Sequence, residues 1–291
     1  MTAGAMDGIE PLLRLGAFAG VFVAVVLWEA LAPRRRQRFG RARRWPHNLG
    51  LIALNAAMVR LLAPGAAIAV ALAAEEQRWG LLNLLALPVW SQVVLALLLL
   101  DLAIYLQHRL FHAVPALWRL HRVHHADPDY DVTTALRFHP LEIALSLAIK
   151  CAVVAAIGAP ALAVLLFEIV LNGAAMFNHA NGRLPPAGDR WLRWLIVTPD
   201  MHRVHHSAIP RETNSNFGFN LPWWDRLFGT YRAQPAAGHV SMRIGITGLQ
   251  DADELNLARL LLQPLRNVDQ PVAAAACDDS RPPPIYRKET P

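Results

Sequence analysis

The feature that most constrains this chain is a set of apolar stretches, at residues 11–33, 48–74, 81–106, 141–157 and 161–177. Crossing a hydrocarbon core of roughly 30 Å takes about 20 helical residues, and a chain in lipid must satisfy its backbone internally. Stretches of this length therefore predict membrane helices. The composition agrees, with 54% hydrophobic and 17% charged residues among 291. The fourth and fifth stretches are separated by Gly158-Ala159-Pro160, a stop-and-turn sequence, and form a hairpin. Its arms are short and Lys150 lies inside the first, so the pair is read as spanning or re-entrant. The fold expected is all-α: an integral membrane protein with about four spanning or re-entrant helices and a cytosolic, helical, histidine-rich cap.

Seven arginines fall between positions 34 and 44, directly after the first stretch. A secretory signal peptide carries its basic residues before the apolar run, so despite the small-residue sequence Ala30-Leu31-Ala32 this stretch reads as an uncleaved span. The positive-inside rule places the arginines in the cytoplasm, residues 75–80 outside, and residues 108–139 and 179 onward inside again. The location expected is a bacterial inner membrane with the histidines on its cytoplasmic side. Net charge +6 arises from basic residues flanking apolar blocks, which argues against nucleic acid. Two cysteines, Cys151 and Cys277, exclude a disulfide framework and a cysteine-held zinc or iron–sulfur site.

Ten of the twelve histidines lie between positions 108 and 206. They form His108-x3-His112, His121-x2-His124-His125 and His202-x2-His205-His206, with His139 and His179 single. Positions i, i+3 and i+4 share a helix face, so each cluster aims two or three imidazoles at one point. The pentapeptide His-Arg-Val-His-His occurs at 121–125 and again at 202–206, which predicts two similar ligand-bearing turns around a common centre. His139 and His179 sit at the two feet of the expected hairpin. His47 and His239 belong to no cluster and read as ordinary surface residues.

So many imidazoles exceed what one four-coordinate zinc can use, and two metal ions are the economical reading. No HExxH motif is present for a hydrolytic zinc enzyme, nor the Glu-x-x-His pattern of soluble di-iron bundles. Spacing alone does not name the metal. Two other classes stay open: a membrane haem electron-transfer protein, which needs only paired axial histidines, and a metal transporter or storage protein, whose ligands belong near the midplane of the spans.

The ordered series HRLFH, HRVHH, RFHP, FNHANGRLP, HRVHH and NFGFNLPWWDRLFGTYR resembles the fatty acid hydroxylase/sterol desaturase superfamily from about residue 95 to 232. The resemblance implies two iron ions, with zinc as a substitute in a purified sample, that activate dioxygen to hydroxylate or desaturate a lipid C–H bond. It assigns His108, His112, His121, His124, His125, His202, His205 and His206 as metal ligands, with His139 and His179 completing the shell. Asp127, Asp131, Asn216 and Asp225 are candidates for orienting imidazoles by hydrogen bonds. Trp223-Trp224-Asp225-Arg226 matches a family signature, and its tryptophans equally suit an interfacial belt.

The domains expected are an N-terminal transmembrane region with an Arg-rich cytosolic loop (1–94), a catalytic domain (95–232), a C-terminal surface helix region (233–269) and a disordered tail (270–291). An apolar stripe at Leu255, Ala258, Leu261, Leu262 and Leu265 marks the surface helix. The partners expected are the membrane, a lipid substrate and a separate electron donor, a ferredoxin or small cytochrome with its reductase. No flavin or nicotinamide fingerprint occurs in the chain. Arg190, Arg193 and Arg211 are read as exposed charges able to steer an acidic carrier.

Overall fold

The computed structural model describes residues 3–268, with side chains from residue 11; the tail expected at 270–291 lies outside the described residues. Every regular element among them is helical, and extended pairing is limited to two isolated bridges, Pro33–Gly182 and Ser207–Ile244. The long helices are α1 (Ala3–Leu31), α2 (Gly40–Leu62), α3 (Ala66–Glu76), α5 (Val89–Ala113), α7 (Pro140–Ile157) and α8 (Ala161–Asn178), with the one-turn α4 (Leu81–Leu84) before α5. The cap is built from α6 (Pro115–His125), α9 (Pro186–Leu192), α10 (Pro199–His205), α11 (Pro210–Thr213), α12 (Trp223–Leu227), α13 (Gly238–Ser241) and α14 (Leu257–Leu262).

Among the described residues, five segments are long and apolar enough to cross a membrane: Pro11–Leu31, Gly40–Leu84, Val89–Ala113, Pro140–Ile157 and Ala161–Asn178. The arms of the α7–α8 hairpin, at 18 residues each, reach about 27 Å at 1.5 Å per residue, close to the hydrocarbon thickness. Their turn closes on Gly158 in the left-handed region (φ 64°), and Pro160 precedes α8. Gly80, also left-handed, packs against it so closely that a Cβ there would lie 2.1 Å from the Gly158 nitrogen. The two turns thereby fix the cap-distal end of the bundle.

Helix α8 is the central post, packed against α1, α3 and α5. The spans meet through small residues, among them Ala67, Ala71, Ala96 and Ala163, as helices in lipid do when close approach replaces hydrophobic expulsion. Large apolar residues such as Leu12, Leu27, Val94, Leu141 and Val170 stay exposed on the outer faces, the surface hydrocarbon would cover.

The second apolar stretch is not one helix. Pro64 lacks a backbone donor and Gly65 is left-handed (φ 63°), so α2 stops at Leu62 and α3 starts anew. Helix α2 also begins eight residues before position 48, at Gly40, and draws part of the arginine cluster into the cap. Arg44 is fully buried and pairs with Asp127 and Asp131, each at 2.6 Å, while Arg34 is bidentate on Asp200. This segment is thus an internal clamp, not a free loop. The surface helix expected from the stripe at Leu255–Leu265 is interrupted as well: short 3-10 turns flank α14, Leu255 and Leu260 are buried, and Leu262 and Leu265 face outward.

Candidate metal centre

Two helices that carry histidines start on a proline at the first helical position, where its missing N–H costs nothing, α6 at Pro115 and α10 at Pro199, and α7, which His139 caps, starts likewise at Pro140. Val114 is extended between α5 and α6, so the end of a span folds back into a cap helix. His108 and His112 on α5 then face His121, His124 and His125 on α6. Thr198 caps α10 by accepting from the Met201 N–H, and that helix brings in His202 and His205, with His206 at its C-cap. His179 caps the C-terminus of α8.

The rings assemble into two adjoining groups, His108–His112–His121–His125–His205 and His124–His179–His202–His206. Within each, one nitrogen per ring lies within 4.8 Å of all the others, and all nine residues are buried. The sequence neighbours His124 and His125 divide between the groups, as do His205 and His206, and the His125 and His206 rings stack at 4.5 Å. Nine of the ten expected histidines therefore converge.

His139 does not join them. Its Nδ1 accepts the Leu141 N–H at 3.1 Å, capping α7, and its Nε2 lies 3.1 Å from the Leu261 carbonyl. A ring spent on a helix N-terminus cannot also turn inward. His239, read as a surface residue, is instead buried 3.7 Å from Asp200. His47 is half-buried on α2.

The hydrogen bonds to the outer ring nitrogens determine what the inner ones offer. Nδ1 donates to the Phe217 carbonyl from His108 (2.8 Å), to the Ala175 carbonyl from His179 (2.7 Å) and to the Ser215 carbonyl from His205 (2.8 Å). His121 Nδ1 bonds the Glu142 carboxylate at 2.6 Å, and His112 Nδ1 lies 3.3 Å from the Asn214 carbonyl oxygen. Such partners leave Nε2 as a lone pair. Yet Nε2 of His108 lies 3.1 Å from Nε2 of His121, and Nε2 of His179 lies 3.1–3.2 Å from those of His124, His202 and His206. One lone pair cannot serve three neighbours, and facing lone pairs repel. A cation between them removes the conflict: nitrogens about 2.0–2.1 Å from a metal stand about 2.9–3.4 Å apart at octahedral to tetrahedral angles. The donor set fits metal.

Burial reinforces this. It drops His121 and His179 to about 3 from the ordinary 6.5. Burial, with neighbouring imidazoles, also holds His124, His125, His202, His205 and His206 well below that value. The rings are neutral, as ligands must be. Apolar walls hold them in place: Phe138 stacks on His124 with centroids 4.4 Å apart, and Phe217 stands edge-on to His108, His112 and His205.

The carboxylates expected to orient imidazoles act elsewhere. Asp127 and Asp131 close on Arg44; burial pushes the Asp131 carboxyl up, but Arg44 and Thr133 outweigh it and hold it at about 2. Asn216, left-handed at φ 52°, ties its loop to Met201 and Arg232. Asp225 works at one remove: it accepts the Phe217 and Gly218 N–H groups at 2.8 and 2.7 Å, and the Phe217 carbonyl receives His108. Glu142 and Asn214, not singled out in the sequence, are instead the polar side chains that lie within hydrogen-bond distance of His121 and His112. Arg193 is not exposed either, being buried against Asp189 and the Ala233 carbonyl, whereas Arg190 and Arg211 are exposed.

A cavity of about 510 Å³ opens onto this centre. Its wall includes His108, His121, Phe111, Phe138 and Phe219 and continues between α2, α3, α7 and α8 to Lys150 and Glu168.

Residues 93–230 match the family profile described as fatty acid hydroxylase. The chain is 34% identical over 161 residues to the ornithine lipid hydroxylase OlsE of Rhizobium tropici, covering 55% of this chain and 47% of that protein. It is 32% identical over 186 residues to the alkylglycerol monooxygenase of Xenopus tropicalis (63% and 41%), and 30% identical over 149 residues to the cholesterol 25-hydroxylase of Rattus norvegicus (50% and 48%). The matches span less than half the length of each of these relatives. No solved structure matches the chain.

Proposed function

We propose that the chain, whose residues 93–230 match the fatty acid hydroxylase profile, is a member of the fatty acid hydroxylase/sterol desaturase superfamily and an integral-membrane, non-haem di-iron oxygenase acting on a lipid C–H bond. The observation that carries the reading is the pair of neutral histidine groups at the head of a cavity running into the spans. The relatives' names, hydroxylase and monooxygenase, favour hydroxylation over desaturation.

His108, His112, His121, His125 and His205 would hold one iron, and His124, His179, His202 and His206 the other. When bound, the irons supply the power to activate dioxygen and oxidise an unactivated C–H bond. Hydroxylation then balances as substrate, dioxygen, two electrons and two protons giving alcohol and water. The chain's own residues supply position and protection. Phe111, Phe138 and Phe219 line the cavity beside His108 and His121, so an apolar segment meets the site with little water present. Glu142, Asn214 and the Phe217, Ser215 and Ala175 carbonyls keep the rings oriented.

The electrons come, in this reading, from a separate ferredoxin or small cytochrome with its reductase, docking on a cytoplasmic cap of a bacterial inner membrane. The test is reconstitution in lipid nanodiscs with iron, dioxygen, ferredoxin and ferredoxin reductase, following lipid products by mass spectrometry. A gain of one oxygen that requires the carrier is expected. Full turnover from a nicotinamide cofactor alone contradicts the separate donor, and a Soret band on the purified protein contradicts the non-haem reading.

A further inference from the structure

The chain after α10 turns back from the metal centre and runs down the outside of a span. Helix α12 packs on α5 at Asp101 and Tyr105: the Trp224 indole N–H donates to the Asp101 carboxylate at 2.8 Å, and Phe228 stacks on Tyr105 with centroids 5.4 Å apart. Asp101 is seven residues before His108 and 12 after Val89, so it lies about 10 Å below that histidine and about 18 Å along α5 from its start. That depth is inside a hydrocarbon layer of roughly 30 Å that begins at the cap-distal turns. The outer face of α5 agrees, because Leu106 and Leu110, beyond the level of α12, are still exposed.

The surface presented there is apolar and aromatic. Trp191, Trp194 and Leu195, on α9 and the turn after it, and Trp223, Leu227 and Phe228, on α12 and at its end, are all exposed, Trp191 by 69% and Leu227 by 70%. The polar atoms of α12 are spent within the protein. The Trp223 indole N–H donates to the Trp194 carbonyl at 2.8 Å, which joins the two groups. Arg226 lays its guanidinium 3.8 Å over the Trp194 ring and donates to the Arg193 carbonyl at 3.0 Å, and Asp225 accepts the Phe217 and Gly218 N–H groups. A large exposed apolar patch marks an interaction site. We propose that the α9–α12 edge is a wedge immersed in the lipid leaflet on the cap side. Lipid is the occupant because the patch continues the outer face of α5 at the depth of the spans, where a water-soluble partner would have to displace hydrocarbon to reach it. Tryptophan, with an apolar ring and a polar tip, is the residue that collects at this boundary. Immersion also bears on the metal centre: Asp225 on α12 holds the Phe217 loop whose carbonyl receives His108 Nδ1, so lipid packed on the wedge backs the strand of chain that orients this ring.

Nitroxide labels are placed singly at Leu195→Cys and Leu227→Cys, and at Arg211→Cys on the exposed side of α11 as an aqueous control. The full chain carries Cys151→Ser and Cys277→Ser and is reconstituted in phosphatidylcholine nanodiscs. Power-saturation EPR then compares collisions with dioxygen, which concentrates in lipid, and with a water-soluble nickel chelate. Dioxygen collisions are expected to exceed nickel collisions at both leucine positions, and the order is expected to reverse at the arginine position. Unlabelled protein supplies a second reading: acyl-brominated phosphatidylcholine quenches its tryptophan fluorescence, and the combined Trp191→Phe, Trp194→Phe and Trp223→Phe replacements lose part of that quenching. Nickel access at the leucine positions matching that of the control shows a surface in water and overturns the wedge. Low access to both reagents shows cover by protein, a carrier or a second copy of the chain, and overturns it equally. So does quenching that the three phenylalanine replacements leave unchanged.

Discussion

Replacing Glu142 with glutamine isolates one buried interaction at the metal centre. Its carboxylate meets His121 Nδ1 at 2.6 Å, with both residues only 3% exposed. Glutamine keeps the shape and an acceptor oxygen but removes the charge that makes the imidazole a stronger donor to metal. A hydrogen bond to a charged group is worth about 1.5–3 kcal/mol, and loss of that increment corresponds to about a ten- to hundredfold change in an equilibrium constant. Partners of metal-bound histidines independently give about 10–100-fold in metal affinity on mutation. The two routes agree. The assay is competition for iron(II) or zinc against a chelator of known affinity, on detergent-purified protein. Glu142→Gln should release metal at about ten- to hundredfold lower chelator concentration, with an unchanged thermal midpoint in excess metal. Unaltered affinity would refute the idea that Glu142 tunes His121.

Other outcomes follow from the same geometry. Alanine at His179 should abolish lipid oxidation and lower metal content, whereas His139→Ala should keep both and cost about 1 kcal/mol of stability as a lost helix cap; equal metal loss in the two, measured by elemental analysis, contradicts the division made here. Alanine at His121, His125, His202 or His206 should end product formation while the protein still fractionates with membranes. Arg44→Met leaves Asp131 buried without its cation and Asp127 with only Arg137, 4.0 Å away, and should destabilise the cap by about 3–5 kcal/mol, read by thermal unfolding. For protein stripped of metal by chelation, His121 and His179 sit at about 3 against 6.5 when unfolded. The unfolded chain therefore binds more protons below 6.5, so stability falls as pH drops from about 6.5 towards 3 and does not respond to these groups above that window; a flat denaturation midpoint across it contradicts their burial as neutral rings.

Much of the centre was readable from spacing, because i, i+3, i+4 periodicity survives any tertiary arrangement that keeps the helices. What was not readable depended on which way a side chain turns at a helix end. His139 and His179 look equivalent as the feet of a hairpin, but one precedes a helix and the other follows one. The His139-Pro140 step was the available signal: proline at the first helical position makes the residue before it the cap. Glu142 carried no comparable mark, since an acid in a first helical turn is ordinary dipole chemistry. Asp127 and Asp131 read as turn residues because their partner, Arg44, is 83 and 87 positions away. The break at Pro64-Gly65 was visible as a stop signal within the second stretch, and apolar composition on both sides hid it.

The most direct test of the central claim is iron K-edge X-ray absorption on protein purified under reducing conditions and quantified for metal. Two irons per chain are expected, with a shell of nitrogen and oxygen neighbours at about 2.0–2.2 Å and no sulfur. One iron or none per chain after full reconstitution, or a porphyrin-type spectrum, would contradict the account.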